Sequence, residues 1–237
     1  MEIAIVGAGR AGQSFARALS AHGHRVRLVH HDQLDAVGRA RLVLLATPDD
    51  AVAETAARLA PDTERVVAHV AGSLTLAPLA GHPRVASLHP LAVLSSARVG
   101  ALRLVGAIYA VAGDDLVLSV VSSLQGRAIR VPDERRALYH ATAAVAANHL
   151  VALMGHVERL ARESGLELAD FLDLSRQALD DVAARGPRAA LTGPASRGDM
   201  ATIDAHLAAL PPEERDTYVA LAREALALRD RDVSQPA

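Results

Sequence analysis

The 237-residue chain has no cysteine, no tryptophan and no lysine; every basic side chain other than histidine is arginine. Without cysteine it has no disulfide, no thiolate nucleophile and no cysteine-bound zinc. With only two Phe and three Tyr, its core must come from Ala, Leu and Val, which favours close helix packing. Excess charge of one sign is also missing. A formal charge of −2 gives no general basic field for nucleic acid, and none is expected as a partner. The apolar stretch 141–154 is broken by Asn148 and His149, so no bilayer span and no membrane partner is expected. Nor is there an N-terminal charged leader or apolar h-region, which points to a cytoplasmic protein. The sequence contains no internal repeat and no low-complexity tract. About half the residues are apolar, enough for one large or two small domains.

What is there begins at the N-terminus. Ile3–Val6 is an apolar run of strand length, followed by Gly7-Ala8-Gly9-Arg10-Ala11-Gly12. Phe15, Ala18 and Leu19 then recur at helical spacing. A G-x-G-x-x-G between a strand and a helix is the dinucleotide-binding fingerprint. Gly7 permits a tight turn, Gly9 lets the backbone approach a pyrophosphate, and Gly12 lets the helix pack on the strand. Free N–H groups at the helix N-terminus favour an anion there. Arg10 and Ala11 belong to the same turn.

The first half alternates strand and helix. Strands are expected at 3–6, 25–29, 42–46, 65–69, 84–87, 107–112 and 128–131, and helices at 10–21, 50–59, 74–79 and 114–124. Such alternation predicts a doubly wound, Rossmann-like parallel sheet. From Asp133 no strand candidate follows. One long helix is expected over 134–163, then helices at 168–184, 200–209 and 213–229, with Pro212 in a first turn. The expected domains are 1–132, binding a dinucleotide, and 133–237, all-helical, for substrate and dimerisation. The tail from Asp232 is expected to fray.

Several loops bring polar groups to the carboxyl edge of the sheet, where open α/β sheets bind ligands. His30-His31-Asp32 ends the second strand, where an acidic residue would hold ribose hydroxyls and a basic one a 2′-phosphate. The two histidines favour NADP, with NAD remaining open. Thr47 and Pro48 are candidates for walling the nicotinamide, while Asp49 or Asp50 is expected to cap the next helix. The strand-end loops His69–Ser73 and Ser87–Leu91 are candidates for lining a substrate pocket, with Ser73 and His89 as candidate substrate contacts. On the long helix, Arg136, His140, Ala144, Ala147, Asn148, Val151 and Gly155 form one stripe. His140 is a candidate general acid, since imidazole titrates at about 6.5, and Asn148 a candidate orienting amide; a dimer or domain seam would use the same stripe. Asp199 is expected to cap a helix, and Arg197 either clamps an anion or serves the loop. No metal constellation is visible, and His22, His24, His30 and His31 read as surface residues.

The chain resembles a family of uncharacterised proteins that join a Rossmann-like NADP-binding domain to a helical domain of unknown function. That helical domain is similar to the C-terminal domains of 6-phosphogluconate dehydrogenase and pyrroline-5-carboxylate reductase. The resemblance rests on Val6–Gly12, Thr47–Asp50, Ser87–Leu91, Tyr139–Ala144 with Asn148, and Leu191–Asp199, and covers nearly the whole chain. It implies a homodimer through the helical domain and a reductase-like site between domains. Related dehydrogenases often carry a Lys on the long helix as proton donor. This chain has none; Arg136 stands near that position, and arginine cannot deprotonate usefully. His140, another histidine or water must serve. His31 stands where NADP-binding relatives often have Arg.

These observations point to an NAD(P)-dependent oxidoreductase acting on a small carbonyl or imine compound in the cleft between domains. A non-catalytic dinucleotide sensor or scaffold, or a deazaflavin-using enzyme of the same fold, are the alternatives.

Overall fold

A computed structural model describes residues 1–230. Seven strands form one sheet in the order β2-β1-β3-β4-β5-β6-β7. These are β1 (Glu2–Val6), β2 (Arg25–Val29), β3 (Leu42–Leu45), β4 (Val66–His69), β5 (Val85–Pro90), β6 (Ile108–Gly113) and β7 (Arg127–Arg130). The central strands are apolar without alternation because both faces are covered. In β1, Ile3 and Ile5 enter one core with Phe15, Ala18 and Leu19 of α1 (Arg10–Ala21). Ala4 and Val6 enter a second core with Val52 and Ala56 of α2 (Val52–Ala57) and with Leu79. The first core also takes Leu104 of α3 (Ala97–Leu104) and Val117, Val120 and Val121 of α4 (Leu116–Ser123).

The sheet is mostly parallel, and the expectation of full parallelism needs one correction. β6 pairs antiparallel to β5, and β7 follows β6 in parallel. Pro90 lies opposite Tyr109, so the connection through α3 leaves and re-enters at the same edge of the sheet. This keeps the segment Leu91–Ser96 at the carboxyl ends of β1, β3, β4 and β5.

α3 was not legible in the sequence, because Val99 and Gly100 are poor helix formers. Tertiary contacts supply what propensity lacks. The Ser96 hydroxyl caps the helix by accepting from the Val99 N–H at 3.2 Å. A Cβ at Gly100 would collide with the Ser14 hydroxyl of α1, so the glycine permits close crossing of the two helices. Conversely, the expected helix 74–79 is only a 3-10 turn, Ala77–Leu79. The Asp49/Asp50 cap is also corrected. Pro48 occupies the cap position with no side-chain cap bond, and Asp49 instead accepts from the Ser73 hydroxyl at 2.6 Å.

The chain divides into two compact units, Met1–Asn148 and His149–Ala237. The boundary expected at 132/133 marks the change from strand to helix and falls earlier. α5 (Arg136–Ala144) and a π-helical turn, Val145–His149, follow a 3-10 turn at Asp133–Arg135. The π turn inserts an extra residue per turn into the helix and rotates the stripe expected along it. By length and composition, the helix from Asp133 to Glu163 could cross a membrane, with an 18-residue window of mean hydropathy 1.2. This corrects the expectation that no segment could: Asn148 and His149 do not offset the run of Ala, Leu and Val around them.

The second unit is all helix: α6 (Leu150–Glu163), α7 (Leu168–Arg185), α8 (Pro187–Ala190), α9 (Gly193–Arg197), α10 (Met200–Ala209) and α11 (Arg215–Asp230). The loop expected at 191–199 thus contains α9. Pro212 lies in a 3-10 first turn before α11, and Asp199 caps α10 through the Thr202 N–H at 3.1 Å. The tail from Asp232 falls outside the described residues. Glu214 is buried between Arg159 and His156. Its carboxylate accepts from Arg159 at 2.5 and 3.0 Å and meets His156 Nδ1 at 2.6 Å. The Arg159 fork, followed by the His156 contact, holds the Glu214 carboxyl down at about 2. A depressed carboxylate stabilises fully above its unfolded value near 4.5 and ceases to as pH falls through its folded value. Glu214→Gln is therefore expected to lower the melting temperature at pH 6 to 7. The difference from the unsubstituted protein should shrink steadily between pH 5 and 2. Calorimetric melts across that range check this; a pH-independent difference would be contrary.

Candidate active site

The glycine turn divides its work among three residues. Gly7 has φ +111°, a left-handed conformation that favours glycine, and a Cβ there would sit 2.6 Å from the Ala46 carbonyl oxygen. At Gly12 a Cβ would strike the Gly7 carbonyl. Gly9 differs: nothing lies within 4 Å of where its Cβ would be. It is the cap residue of α1, with no side-chain cap bond and no acidic residue in the first turn. Uncapped N–H groups, an open face above Gly9 and the exposed Arg10 together form an anion cradle. The Gly7 N–H donates to the Val29 carbonyl at 3.0 Å, which ties the turn to the end of β2 and sets the exposed His30 beside it. His31 is also exposed. Of the neighbouring histidines, His24 is not simply a surface residue: its Nε2 meets the Ser123 hydroxyl at 2.8 Å.

At the opposite side of the carboxyl edge, the long helix is clamped to the loop after β4. Arg136 is 1% exposed. Its guanidinium donates to the carbonyls of Leu74 at 3.0 Å and Ala71 at 3.3 Å. Asp133, just before it, accepts from the Leu76 N–H at 3.3 Å. This clamp fixes the first turn of α5 and delivers Tyr139 and His140 one turn later. Tyr139 Oη lies 2.7 Å from His89 Nδ1 at the end of β5. The His89 and His140 rings meet edge to face, with centroids 5.9 Å apart. Gly72 sits beneath both rings. A Cβ on it would be within 3.0 Å of both His89 Nε2 and His140 Nδ1. Gly72 is therefore required for the close approach of two imidazoles, a role that nothing in the sequence marks.

Electrostatically the site is poor in negative charge. Burial, followed by the neighbouring His140 and Arg136, pushes His89 down to about 4, and Asp49 opposes this only in part. Burial also lowers His69, whose Nε2 donates to the Thr75 carbonyl at 3.0 Å. Tyr139 is pushed up to about 12 by burial, with Arg136 working against the shift. Among the described residues, six buried polar side-chain atoms have no protein partner: Thr47 Oγ1, His69 Nδ1, Ser87 Oγ, Arg136 Nη1, His140 Nδ1 and His82 Nδ1. The first five lie at or below the carboxyl edge, while His82 packs elsewhere, its Nε2 donating to the Ala56 carbonyl at 2.9 Å. Unsatisfied buried groups gathered at one edge are a mark of a site for ligand or water.

Two cavities open there. One, of ≈ 630 Å³, is lined by Arg10, His89, Leu91–Ser95, His140 and the small side chains Ala143, Ala144, Ala146 and Ala147, with Asn148. The second, of ≈ 340 Å³, reaches Ala11, Thr47, Asp49 and Gly72 and shares His89 and His140 with the first. Every lining residue belongs to the first compact unit. Expected site residues Arg10, Ala11, Thr47, His89, His140 and Asn148 are thus brought together. Pro48 is exposed beyond the lining, and Ser73 is engaged with Asp49. Arg197 is exposed at the end of α9, in the second unit. Sequence reasoning passed over Tyr139 as a site residue, whereas His69 and Gly72 belong to the strand-end loop expected to line a pocket. Tyr139 neighbours His140 in sequence, and that adjacency was the available signal.

A doubly wound sheet with a glycine turn at its first crossover, followed by helices only, defines a Rossmann-like fold with a helical C-terminal domain. Residues 110–225, from within β6 into α11, match a domain of unknown function, DUF2520. No curated protein matches the chain. Solved structures share the fold. A Bacteroides fragilis protein described as a candidate NADP oxidoreductase is 22% identical, with TM-score 0.80, over 95% of this chain and 98% of that one. A reductive aminase from Aspergillus terreus, in complex with NADPH and ethyl levulinate, is 16% identical, with TM-score 0.70, over 95% and 93%. The 1-pyrroline-5-carboxylate reductase of Streptococcus pyogenes is 13% identical, with TM-score 0.63, over 96% and 98%.

Two outcomes are expected from this geometry. Gly72→Ala forces the imidazoles apart and should cost about 1–3 kcal/mol, the usual range for overpacking, measured by denaturant unfolding. His89 should remain neutral from pH 5 to 8, with its NMR titration centred near 4. Its folded value lies below the unfolded value near 6.5, so its contribution to stability is complete above 6.5 and declines as pH falls toward 4. A His89 titration above pH 6 would contradict the burial that the site imposes.

Proposed function

We propose that the protein is an NADP(H)-dependent reductase of a small carbonyl or imine compound. The observation that carries this is the continuity between the uncapped α1 N-terminus and the cavity containing His89 and His140, with Arg10 on the same wall. The residues fit a dinucleotide. The open face at Gly9 accommodates a pyrophosphate, and the first-turn N–H groups with Arg10 hold it. His30 and His31, which precede Asp32 after β2, favour a 2′-phosphate over bare ribose hydroxyls. NAD remains the second choice of cofactor. Thr47 and Pro48 would wall the nicotinamide. The fold it shares with NADPH-bound reductive aminase supports the same reading. When bound, NADPH supplies a hydride. The chain's own residues do the rest: His140 gives a proton to the substrate heteroatom, and Asn148 orients a more distant polar group. The alanines of the long helix accept an apolar substituent. Ser73 and Arg197 remain proposed substrate contacts.

Residues 1–132 would then form the dinucleotide-binding domain, and 133–237 the substrate and dimerisation domain. For the second role the support is uncovered apolar surface: Leu138 is 71% exposed, Val151 72% and Leu174 64%, and α7 has no buried residue. A helix apolar on most sides must be covered on most sides, and a second copy of the chain is the proposed cover.

Gly9→Val should abolish NADPH binding by calorimetry while the circular dichroism spectrum stays unchanged, because nothing lies within 4 Å of where the new Cβ would be. His30→Ala with His31→Ala should narrow the preference for NADPH over NADH. Turnover of any reducible substrate should fall by roughly two to four orders of magnitude in His140→Ala, with NADPH affinity retained. Light scattering at micromolar concentration should give a dimer; a monomer would remove the assembly proposal.

A further inference from the structure

His89 and His140 both line the two cavities, but only His89 has a ring nitrogen anchored behind it. Its Nδ1 lies 2.7 Å from the hydroxyl oxygen of Tyr139, a residue that lines neither cavity. Its Nε2, at the other end of the ring, lies 2.8 Å from where a Cβ on Gly72 would stand, and Gly72 lines the smaller cavity. The Nε2 end is therefore the one presented to the cavity. Burial pushes the Tyr139 hydroxyl up to about 12 and His89 down to about 4. Near neutral pH the phenol thus keeps its proton, and the imidazole carries a single one. Between these partners the bond runs from oxygen to nitrogen, because a phenol is the stronger acid and an unprotonated imidazole nitrogen the stronger base. Nδ1 accepts, and the one imidazole proton is left on Nε2.

We infer that His89 is a second catalytic residue, an uncharged donor that holds the substrate oxygen or nitrogen through Nε2–H, and that Tyr139 is the positioning residue that fixes this tautomer. This rests on the reductase reading of the site. Neighbouring imidazoles oppose one another's charge, and His140 is among the groups that hold a second proton off His89. Their roles divide accordingly. His89 gives a hydrogen bond and keeps its proton throughout. As the substrate carbon takes up hydride, and with it two electrons, the π pair of the C=O or C=N bond moves to the heteroatom. The heteroatom then gains the proton of the His140 imidazolium, and water entering the cavity restores that proton once product has left. A neutral donor suits the position. It stabilises charge growing on the heteroatom without adding a cation to Arg136 and His69, which also act on His89.

The test reads individual ring nitrogens, which a merely structural role would not set. In ¹⁵N spectra of the full chain at pH 8, His89 should carry its proton on Nε2. Tyr139→Phe keeps the aromatic ring and should move the His89 Nδ1 signal downfield, toward that of a nitrogen free of any hydrogen bond. The ligand probe is cyclohexanone in the presence of NADP⁺, a pair that cannot react. Cyclohexanone should move the His89 Nε2 signal saturably. Methylenecyclohexane, of the same shape without the oxygen, should leave it in place. A proton on Nδ1 would overturn the inference, as would an Nδ1 signal unchanged in Tyr139→Phe. So would an Nε2 signal that stays fixed under cyclohexanone or moves equally with both probes. Failure of the dinucleotide reading would be seen separately, as no NADP⁺ binding by calorimetry in the unsubstituted chain. The tautomer and Tyr139→Phe spectra need no cofactor and would still decide the positioning role.

Discussion

The buried Arg136 guanidinium is the interaction on which the site depends. A long apolar helix leaving a sheet domain has no intrinsic register against that sheet, because small side chains slide past one another at little cost. Two carbonyls of the loop after β4 remove that freedom by accepting from one rigid fork, and Asp133 adds a bond from the same turn. A guanidinium holds several donors in fixed geometry and stays charged when buried. Removing it would leave the Ala71 and Leu74 carbonyls without this partner. The register it sets places Tyr139 against His89, and His140 over Gly72.

The two ends of the site use opposite electrostatic devices. At the α1 end, backbone N–H groups and Arg10 present positive potential with no side-chain cap to satisfy them, which suits a diphosphate. At the histidine end, burial lowers His89 and His69, with Arg136 adding to the effect on both, which opposes the gathering of positive charge there. The antiparallel turn from β5 to β6 connects these ends, since it holds Leu91–Ser95 at the carboxyl edge where a further parallel crossover would have carried the chain away. The π turn at Val145–His149 acts similarly on the other wall. It breaks the regular stripe and brings Ala146, Ala147 and Asn148 onto the cavity together.

Much of this was legible in the sequence. Unbroken apolar runs read as central strands because both faces of the sheet are covered. The three glycines declared the first crossover because each answers a different steric demand. His140 and Asn148 stood out as polar residues on a small-residue helix, and both line the cavity. Less was legible where local preference and tertiary context disagree. α3 contains residues that disfavour helix and exists because Ser96 caps it and Gly100 packs on Ser14. Asp49 has the form of a helix cap and bonds Ser73 instead.

What the sequence by itself determined was the alternation of elements, the doubly wound sheet, the anion-binding turn and the passage to an all-helical second half. Those follow from periodicity and from glycine's freedom, which are local properties. Only the tertiary structure decided that β6 runs against β5, that Arg136 clamps a loop sixty residues earlier in the chain rather than standing in for a catalytic lysine, and that Gly72 lies beneath two imidazoles. Each of these is a contact between segments distant in sequence, and no local spacing encodes which carbonyl, ring or strand will be waiting at the other end.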